Sequence, residues 1–473
     1  MKKYLFLVSA TLLFSGCSLL TQDPNLPTVK LPQSAEDNAA YAALLKERWW
    51  ENFHDKELNI FVEYALKNNS DLQKATINID RFKQFLAIKK NEQIPELTGY
   101  GSGTHNETNK LTPPMNSDMS YDVYKLGLNA SFEIDILGKR ANATKAAYED
   151  MMEEYYVQAF TYQQVVSDSI IAYYGLKSNQ SLYNEARSQY YDQQKTYSNI
   201  KRQYESGFID RGKLLQEESL LESMHDTMLA QKEILDNYKV AVAILVGKTP
   251  DDVFNATSII NIKNTAYSPN IPVPAYLPSN ILNKRADIQA AEAKVRSSAF
   301  SVSVARGAYF PTISLTGALG YASGDLNTLV KSQSSDSSGG VNLFVPILNL
   351  GQIKATVENA KNDQKLALIE YKDTVRNAFG DIKKALVTYN INKERLKSQQ
   401  KRYYAISTKN KIAKDQYKSG YISYLEYLDA RREASVVAME KERIKFEALK
   451  SAVNVYYNLG GGFNVAAQQE TDR

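Results

Sequence analysis

Cys17 is the only cysteine among 473 residues, and its setting specifies a covalent chemistry. Lys2 and Lys3 precede an apolar run from Tyr4 to Phe14, and Ser15-Gly16-Cys17 closes it. That order reads as a secretory signal ending at a cysteine whose thiol takes an acyl chain. An exported chain with one cysteine at this position has no disulfide framework, no thiolate nucleophile and no cysteine-based metal site. The histidines add no chemistry: His54, His105 and His225 are scattered, and no two stand at metal-ligand spacing. HExxH, GxSxG and a phosphate loop are missing, and Gly460-Gly461-Gly462 reads as a helix stop with a tail, so an enzyme is disfavoured.

The elements around Cys17 have to place it at a membrane. Apart from the signal there is no apolar run of about 18 residues, and mean hydropathy is −0.42, so transmembrane helices are excluded. The formal charge of +4 falls by two once Lys2 and Lys3 leave with the signal. No basic block stands out on a reading along the chain, which makes nucleic acid an unsuitable partner. Glycine (22) and proline (13) together lie well below the average of roughly 12%, and long uninterrupted helices are expected.

One segment breaks the helical pattern. Leu126, Leu128, Ala130, Phe132, Ile134 and Ile136 alternate with polar residues or glycine, the period of a strand that is apolar on one face and wet on the other. Four strands are expected, at about 96–104, 122–136, 312–322 and 340–347, joined by exposed polar loops over His105 to Ser120 and Ser323 to Gly339. Tyr100, Tyr121, Tyr124, Tyr309, Phe310 and Tyr321 fall near the expected strand ends, as aromatic girdles do. Four strands cannot close a barrel, and open edges in lipid cost several kcal/mol per unpaired backbone group. Two, three or four copies would each give an even strand number, and the residues alone leave that choice open.

The chain is a tandem duplication. Asn69-Ser70-Asp71-Leu72-Gln73 aligns with Arg285-Ala286-Asp287-Ile288-Gln289, Leu137-Gly138 with Leu350-Gly351, and Tyr204-Glu205-Ser206-Gly207 with Tyr417-Lys418-Ser419-Gly420. Each copy reads as a helix (about 55–92 and 280–307), two strands, a very long helix (139–205 and 352–418), a glycine turn and a return helix (211–246 and 424–458). A helix of about 65 residues spans on the order of 100 Å and must pack lengthwise on others. The expected divisions are a signal at 1–16, a lipidated N-terminal segment at 17–54, repeat 1 at 55–247, a connector at 248–279, repeat 2 at 280–460 and a tail at 461–473.

At this point the chain resembles the outer-membrane factors of tripartite efflux pumps, in the OprM/NodT lipoprotein branch of the TolC superfamily. Arg48-Trp49-Trp50-Glu51-Asn52-Phe53 with Ala65-Leu66-Lys67-Asn68-Asn69 carries the likeness. So do Leu277 to Ile288, with Ala286 where the family generally has Pro, Tyr309-Phe310-Pro311, and Val345-Pro346-Ile347 with Gly351. The lipid site is similar to a lipobox with Phe14 in place of the usual Leu, and Ser18 after Cys17 is similar to outer-membrane sorting. The resemblance implies an α+β homotrimer: a twelve-stranded outer-membrane β-barrel, four strands per protomer, continuing into a periplasmic α-helical barrel with a mixed equatorial region. It implies a passive exit duct for small toxic compounds or drugs, with a periplasmic adaptor (membrane fusion protein) and an inner-membrane resistance-nodulation-division transporter as partners, outer-membrane lipid around it, and no cofactor.

The resemblance also implies a gate. Gly207 and Gly420 mark the helix-tip turns that contact the adaptor, and Glu426 and Asp429 supply acidic side chains on one helix face, six carboxylates in a trimer that would favour cations. Tyr417 helps to hold the tip closed. Lys213 occupies the first copy's equivalent of an acidic position and is expected to pair with Glu426 or Asp429 of a neighbouring helix. Rival readings are a channel for heavy-metal export, suggested by Met115, Met119, Met151, Met152, Met224 and Met228, a type I protein-secretion channel, and a lipid-anchored coiled-coil scaffold. Methionines at helical spacing are more often packing residues.

Overall fold

The computed structural model describes residues 48–108, 118–253, 267, 273 and 285–460. Cys17 and the whole expected signal, most of the 248–279 connector, Met115 and the 461–473 tail lie outside the described residues. The chain divides into two compact units.

The first unit, residues 78–154 and 290–372 of the described chain, holds all four strands. They are β1 (Glu96–Thr108), β2 (Met119–Ile134), β3 (Thr312–Ser323) and β4 (Ser335–Phe344), antiparallel in the order β1-β2-β3-β4. Among the described residues, β1 and β4 each pair on one side only. The β2–β3 register sets Gly127 opposite Gly320. A Cβ on Gly320 would lie 2.4 Å from the Leu126 carbonyl oxygen, and one on Gly127 would lie 2.7 Å from that of Leu319. The two backbones approach where neither has a side chain. Tyr100 pairs with Gly127 in mid-strand rather than at a strand end, because the glycine leaves room for its ring.

The polar loops are shorter than expected. β1 runs on to Thr108 and β2 begins at Met119, since His105 Nδ1 meets Asp122 Oδ1 across the pair at 2.7 Å and Thr108 Oγ1 donates to the Met119 carbonyl at 3.3 Å. β4 starts five residues earlier than expected, within the Ser/Asp/Gly tract. Pairing with β3, as in Ser338 with Ala318 and Gly339 with Gly317, makes that tract a strand against its weak intrinsic propensity.

The second unit comprises residues 48–77, 155–289 and 373–460 of the described chain. Its helices start with α1 (Lys56–Asn68) and α2 (Ser70–Asn91), where one helix was expected. Asn69 takes an extended backbone (ψ 126) and its Oδ1 accepts from the Asp71 and Leu72 N–H groups at 2.9 and 3.1 Å, so it starts a new helix instead of continuing the old one. α3 (Lys139–Glu205) and α4 (Arg211–Leu245) follow, then α5 (Ala286–Gly307), α6 (Leu350–Lys418) and α7 (Tyr424–Asn458). α3 begins in the first unit, α5 lies mostly there, and α2 and α6 are divided between the two.

The second unit's core explains the opening motif. Trp49 and Trp50 are buried, and Trp49 stacks on Tyr456 of α7 with ring centroids 4.8 Å apart. Phe61 stacks on Tyr173 of α3 at 5.9 Å. The buried Lys177 amine sits 3.4 Å from Glu57 and 3.7 Å from Asp55, the residue that caps α1. Arg285 of the second motif donates from Nη1 to the Asn458 carbonyl at 2.8 Å, satisfying the C-terminal end of α7, and pairs with Asp287.

Side-chain contacts give the lateral order of the long helices in this unit. α6 meets α7 through Lys409 and Glu433 (2.7 Å) and through Lys441 over the Tyr403 ring (3.7 Å). α7 meets α3 through Arg431 and Asp192 and through Ser435 and Glu185. α3 meets α4 through Gln193 and Glu217 and through the stacked rings of Tyr190 and His225 at 4.9 Å. The order is α6, α7, α3, α4. Gly175 in mid-α3 lets Tyr238 of α4 cross it to meet Phe446 of α7 edge-on at 6.0 Å, and a Cβ there would strike the Tyr238 ring at 2.1 Å.

Candidate functional site: the paired helix tips

Both helix hairpins of the second unit turn in the same way. Gly207 (φ +75) and Gly420 (φ +78) occupy the left-handed region, which a Cβ disfavours. Around them the N–H of Phe208 donates to the Gln203 carbonyl and that of Gly207 to the Tyr204 carbonyl, both at 2.9 Å. Tyr421 to Gln416 (2.9 Å) and Gly420 to Tyr417 (3.0 Å) repeat the pattern. These are two Schellman stops built from one duplicated sequence. Phe208 and Tyr421, one residue past each glycine, are more than 80% exposed.

The tips differ in how the return helices start. Asp210 caps α4 by accepting from the Lys213 N–H at 3.1 Å. Ser423 caps α7 in a reciprocal box: its hydroxyl accepts from the Glu426 N–H at 3.2 Å, and the Glu426 carboxylate accepts from the Ser423 N–H at 2.8 Å. Hydrogen bonding of the Glu426 carboxylate to the Ser423 backbone N–H first, and to the Ser423 hydroxyl second, holds the carboxyl below its ordinary range. The spacing Ser-x-x-Glu carries this signal in the sequence itself.

The remaining expected site residues separate into small local groups. Asp429 is 70% exposed and pairs with Arg432 at 2.8 Å, so its charge is shared with a cation on the next turn. Tyr417 stacks on Tyr427 and lies 5.4 Å from Tyr424, in an aromatic cluster. Within the chain, Lys213 pairs with neither Glu426 nor Asp429. Its amine lies 2.9 Å from Glu217 and 3.3 Å from Gln216, because the i,i+4 partner on its own helix is nearer than another helix.

Glu217 is the tip residue that reading the sequence misses. It is 2% exposed, with Gln193 Nε2 of α3 donating to its Oε2 at 2.7 Å. Burial pushes its carboxyl up, but the hydrogen bonds from Lys213 and Gln193 and the nearby Lys213 and Arg432 charges outweigh burial and leave it below the ordinary value. One Glu of the adjacent pair Glu217-Glu218 carries no mark of this in the sequence; only the packing of α4 on α3 reveals it. A groove of about 590 Å³ joins the two tips, with Ile200, Arg202 and Phe208 on one side and Ser423, Tyr424 and Leu425 on the other.

Of the histidines, His105 lies in β1, His225 stacks on Tyr190, and His54 ends a short 3-10 turn over Trp49–Phe53. Among the described residues no helix is long and apolar enough to cross a membrane.

The chain matches the sequence profile of the family described as outer membrane efflux protein, twice, over residues 61–248 and 277–461. It is 25% identical to the probable efflux pump outer membrane protein TtgC of Pseudomonas putida over 470 residues, 98% of this chain and 96% of that one. It is 26% identical to the cation efflux system protein CusC of Escherichia coli over 466 residues, 96% and 97% of the two chains. The Campylobacter jejuni CmeC outer membrane channel superimposes with a TM-score of 0.83 at 29% identity, covering 94% of this chain and 97% of that one. Members of this group are channels rather than enzymes, and their place is the outer membrane. With an α+β layout used twice and the profile met once in each copy, the chain belongs to the outer membrane efflux protein family.

Proposed function

We propose that the protein is the exit duct of a tripartite efflux system, a homotrimer whose strands close a twelve-stranded barrel and whose long helices line a periplasmic conduit gated at the Gly207 and Gly420 tips. The observation that carries this reading is the four-stranded sheet, unpaired at both edges among the described residues, in a chain of outer-membrane kind. Such edges are stable in lipid only when paired with further copies. Acylation of Cys17 after removal of residues 1–16 would tether the segment 17–54, with the two repeats at 55–247 and 280–460 joined by the connector 248–279 and followed by the tail 461–473.

Glu426 and Asp429 from three copies would ring the closed aperture and favour cations, with Tyr417 and Lys213 bracing the tips. A periplasmic adaptor docking on the tips would bias them open, and an inner-membrane transporter would load the duct with small toxic compounds. A second reading, cation export, draws on the likeness to CusC, whose name specifies cations.

Single-channel recording from the purified trimer in planar bilayers tests the reading. Replacing both Glu426 and Asp429 with Ala should weaken cation preference and block by polyvalent cations. Unchanged selectivity would remove these residues from the gate, and absence of any conductance from a folded trimer whose tips are loosened by Tyr417→Ala would overturn the duct.

A further inference from the structure

The apolar face of the sheet holds a hollow. The strand registers set Gly101, Leu126, Tyr321 and Ser335 in one row across all four strands. Gly99, Leu128, Leu319 and Ser337 form the next row on the same face. The two rows line a hollow of about 820 Å³. The row between them, from Tyr100 through Gly127 and Gly320 to Asp336, sends its side chains to the wet face, so its backbone forms the floor.

The glycines of this hollow differ in what they serve. Gly127 and Gly320 are demanded by the backbone of the facing strand. Gly99 and Gly101 are not: a Cβ on either would meet only a leucine side chain, at 3.8 and 3.7 Å, which is ordinary contact. Glycine weakens a strand, and inside one it marks a place where something else approaches closely. Leu126, Leu128 and Leu319 stand exposed as walls beside the bare ledge, so the shape suits an apolar guest.

Its level on the sheet is set from both sides. The helices extend into the periplasm, so the β1–β2 and β3–β4 turns are the outward ends of the strands. Near the β1–β2 turn the same face becomes ionisable: His105 Nδ1 lies 2.7 Å from Asp122, and its Nε2 lies 3.6 Å from Glu107 and 3.3 Å from Ser120. Such groups are costly in hydrocarbon, which sets them among lipid headgroups. Towards the helices the face is filled, by Phe132, Leu315 and Val341 in one row and by Ile134, Ile313 and Leu343 in the next. The hollow therefore opens in the outer half of the wall.

We infer that this hollow is a lipid site, holding an acyl chain of the phosphorylated glycolipid of the outer leaflet against the Gly99 and Gly101 ledge. The occupant is a lipid because this is the face that a barrel turns to the membrane. It comes from the outer leaflet because the filled rows close the inner half. Ser335 and Ser337 add two hydroxyls to an otherwise apolar face, donors for the ester or amide carbonyls that link such chains to their headgroup. The inference rests on the barrel reading above and adds a specific lipid to it.

The test is native mass spectrometry of the full-length trimer extracted from outer membranes in mild detergent. Wild type should retain the mass of the acylated glycolipid. Gly99→Val with Gly101→Val fills the ledge without striking backbone and should lower the retained fraction about tenfold, the effect of taking roughly two methylenes out of contact. Thr98→Val with Ser102→Val, on the wet face of the same strand, should leave it unchanged. Leu128→Ala with Leu319→Ala lowers the walls instead of filling the ledge, and its loss of retained lipid provides the reading if the valines impair assembly.

A wild-type trimer that keeps no lipid, or keeps glycerophospholipid alone, would overturn the inference. So would retention that neither double variant lowers, or that the wet-face control lowers equally. A wild-type chain that forms no trimer would instead overturn the barrel reading beneath it.

Discussion

Tyr417 and Tyr427 stack almost in parallel, ring centroids 5.5 Å apart and planes 4° from each other, across the turn at Gly420. The stack ties the last turn of α6 to the first turns of α7, and Tyr424 closes the cluster from the side. An aromatic pair of this kind is worth about 0.5–1.5 kcal/mol beyond its buried area. Tyr417→Ala should therefore raise basal conductance in planar bilayers, while Tyr417→Phe, which keeps the ring, should leave it near wild type. Equal leakage from both would shift the role from the ring to the hydroxyl.

Ser423 and Glu426 predict a pH response at the same tip. A carboxyl held below its unfolded value stabilises the helix start at pH above the unfolded value, and that contribution is lost as pH falls through the folded one. Acidifying the periplasmic side below the ordinary glutamate range, about 4, should loosen the α7 start and increase open events. Ser423→Ala should cost about 1 kcal/mol through loss of the cap and flatten that response. A response of unchanged size in Ser423→Ala would show that it arises elsewhere.

The buried Glu217 makes Lys213 structural as well as electrostatic. Lys213→Ala leaves a buried carboxylate with Gln193 as its donor and should destabilise the unit by about 1–3 kcal/mol. Adding Glu217→Leu should recover part of that loss, since the uncompensated charge leaves with it. A denaturation cycle over the two single variants and the double reads the coupling directly. Additive losses would mean that the 2.9 Å pair contributes nothing of its own.

In the sheet, Gly320→Val should block insertion into the outer membrane, because any Cβ there meets backbone of β2 rather than a movable side chain. Gly339→Ala is the control, with nothing within 4 Å of its added carbon. Membrane fractionation followed by native gel analysis separates the two. Equal trimer yields would show that β2 and β3 part easily.

Much of the framework is legible in the residues. The bounds of α3 and α7 follow from the duplicated layout and from Gly138 and Gly420. The duplication and the two glycine stops follow because a left-handed residue after a helix leaves a local mark. Local propensity does not reach as far as the Asn69 break or the early start of β4. Asn69 can end one helix and start another only where its own side chain meets free N–H groups, and Ser335 to Gly340 become strand only through their partners on β3.

The chain by itself determined its two copies, its helix ends and the kind of membrane wall it could build, because each rests on neighbours within a few turns. The tertiary structure decided which charges count. Glu217 is buried only because α4 packs on α3, and Lys213 turns to it rather than to the second tip. Burial and lateral order are properties of packing between segments far apart in sequence, and electrostatic energy depends on those distances in space.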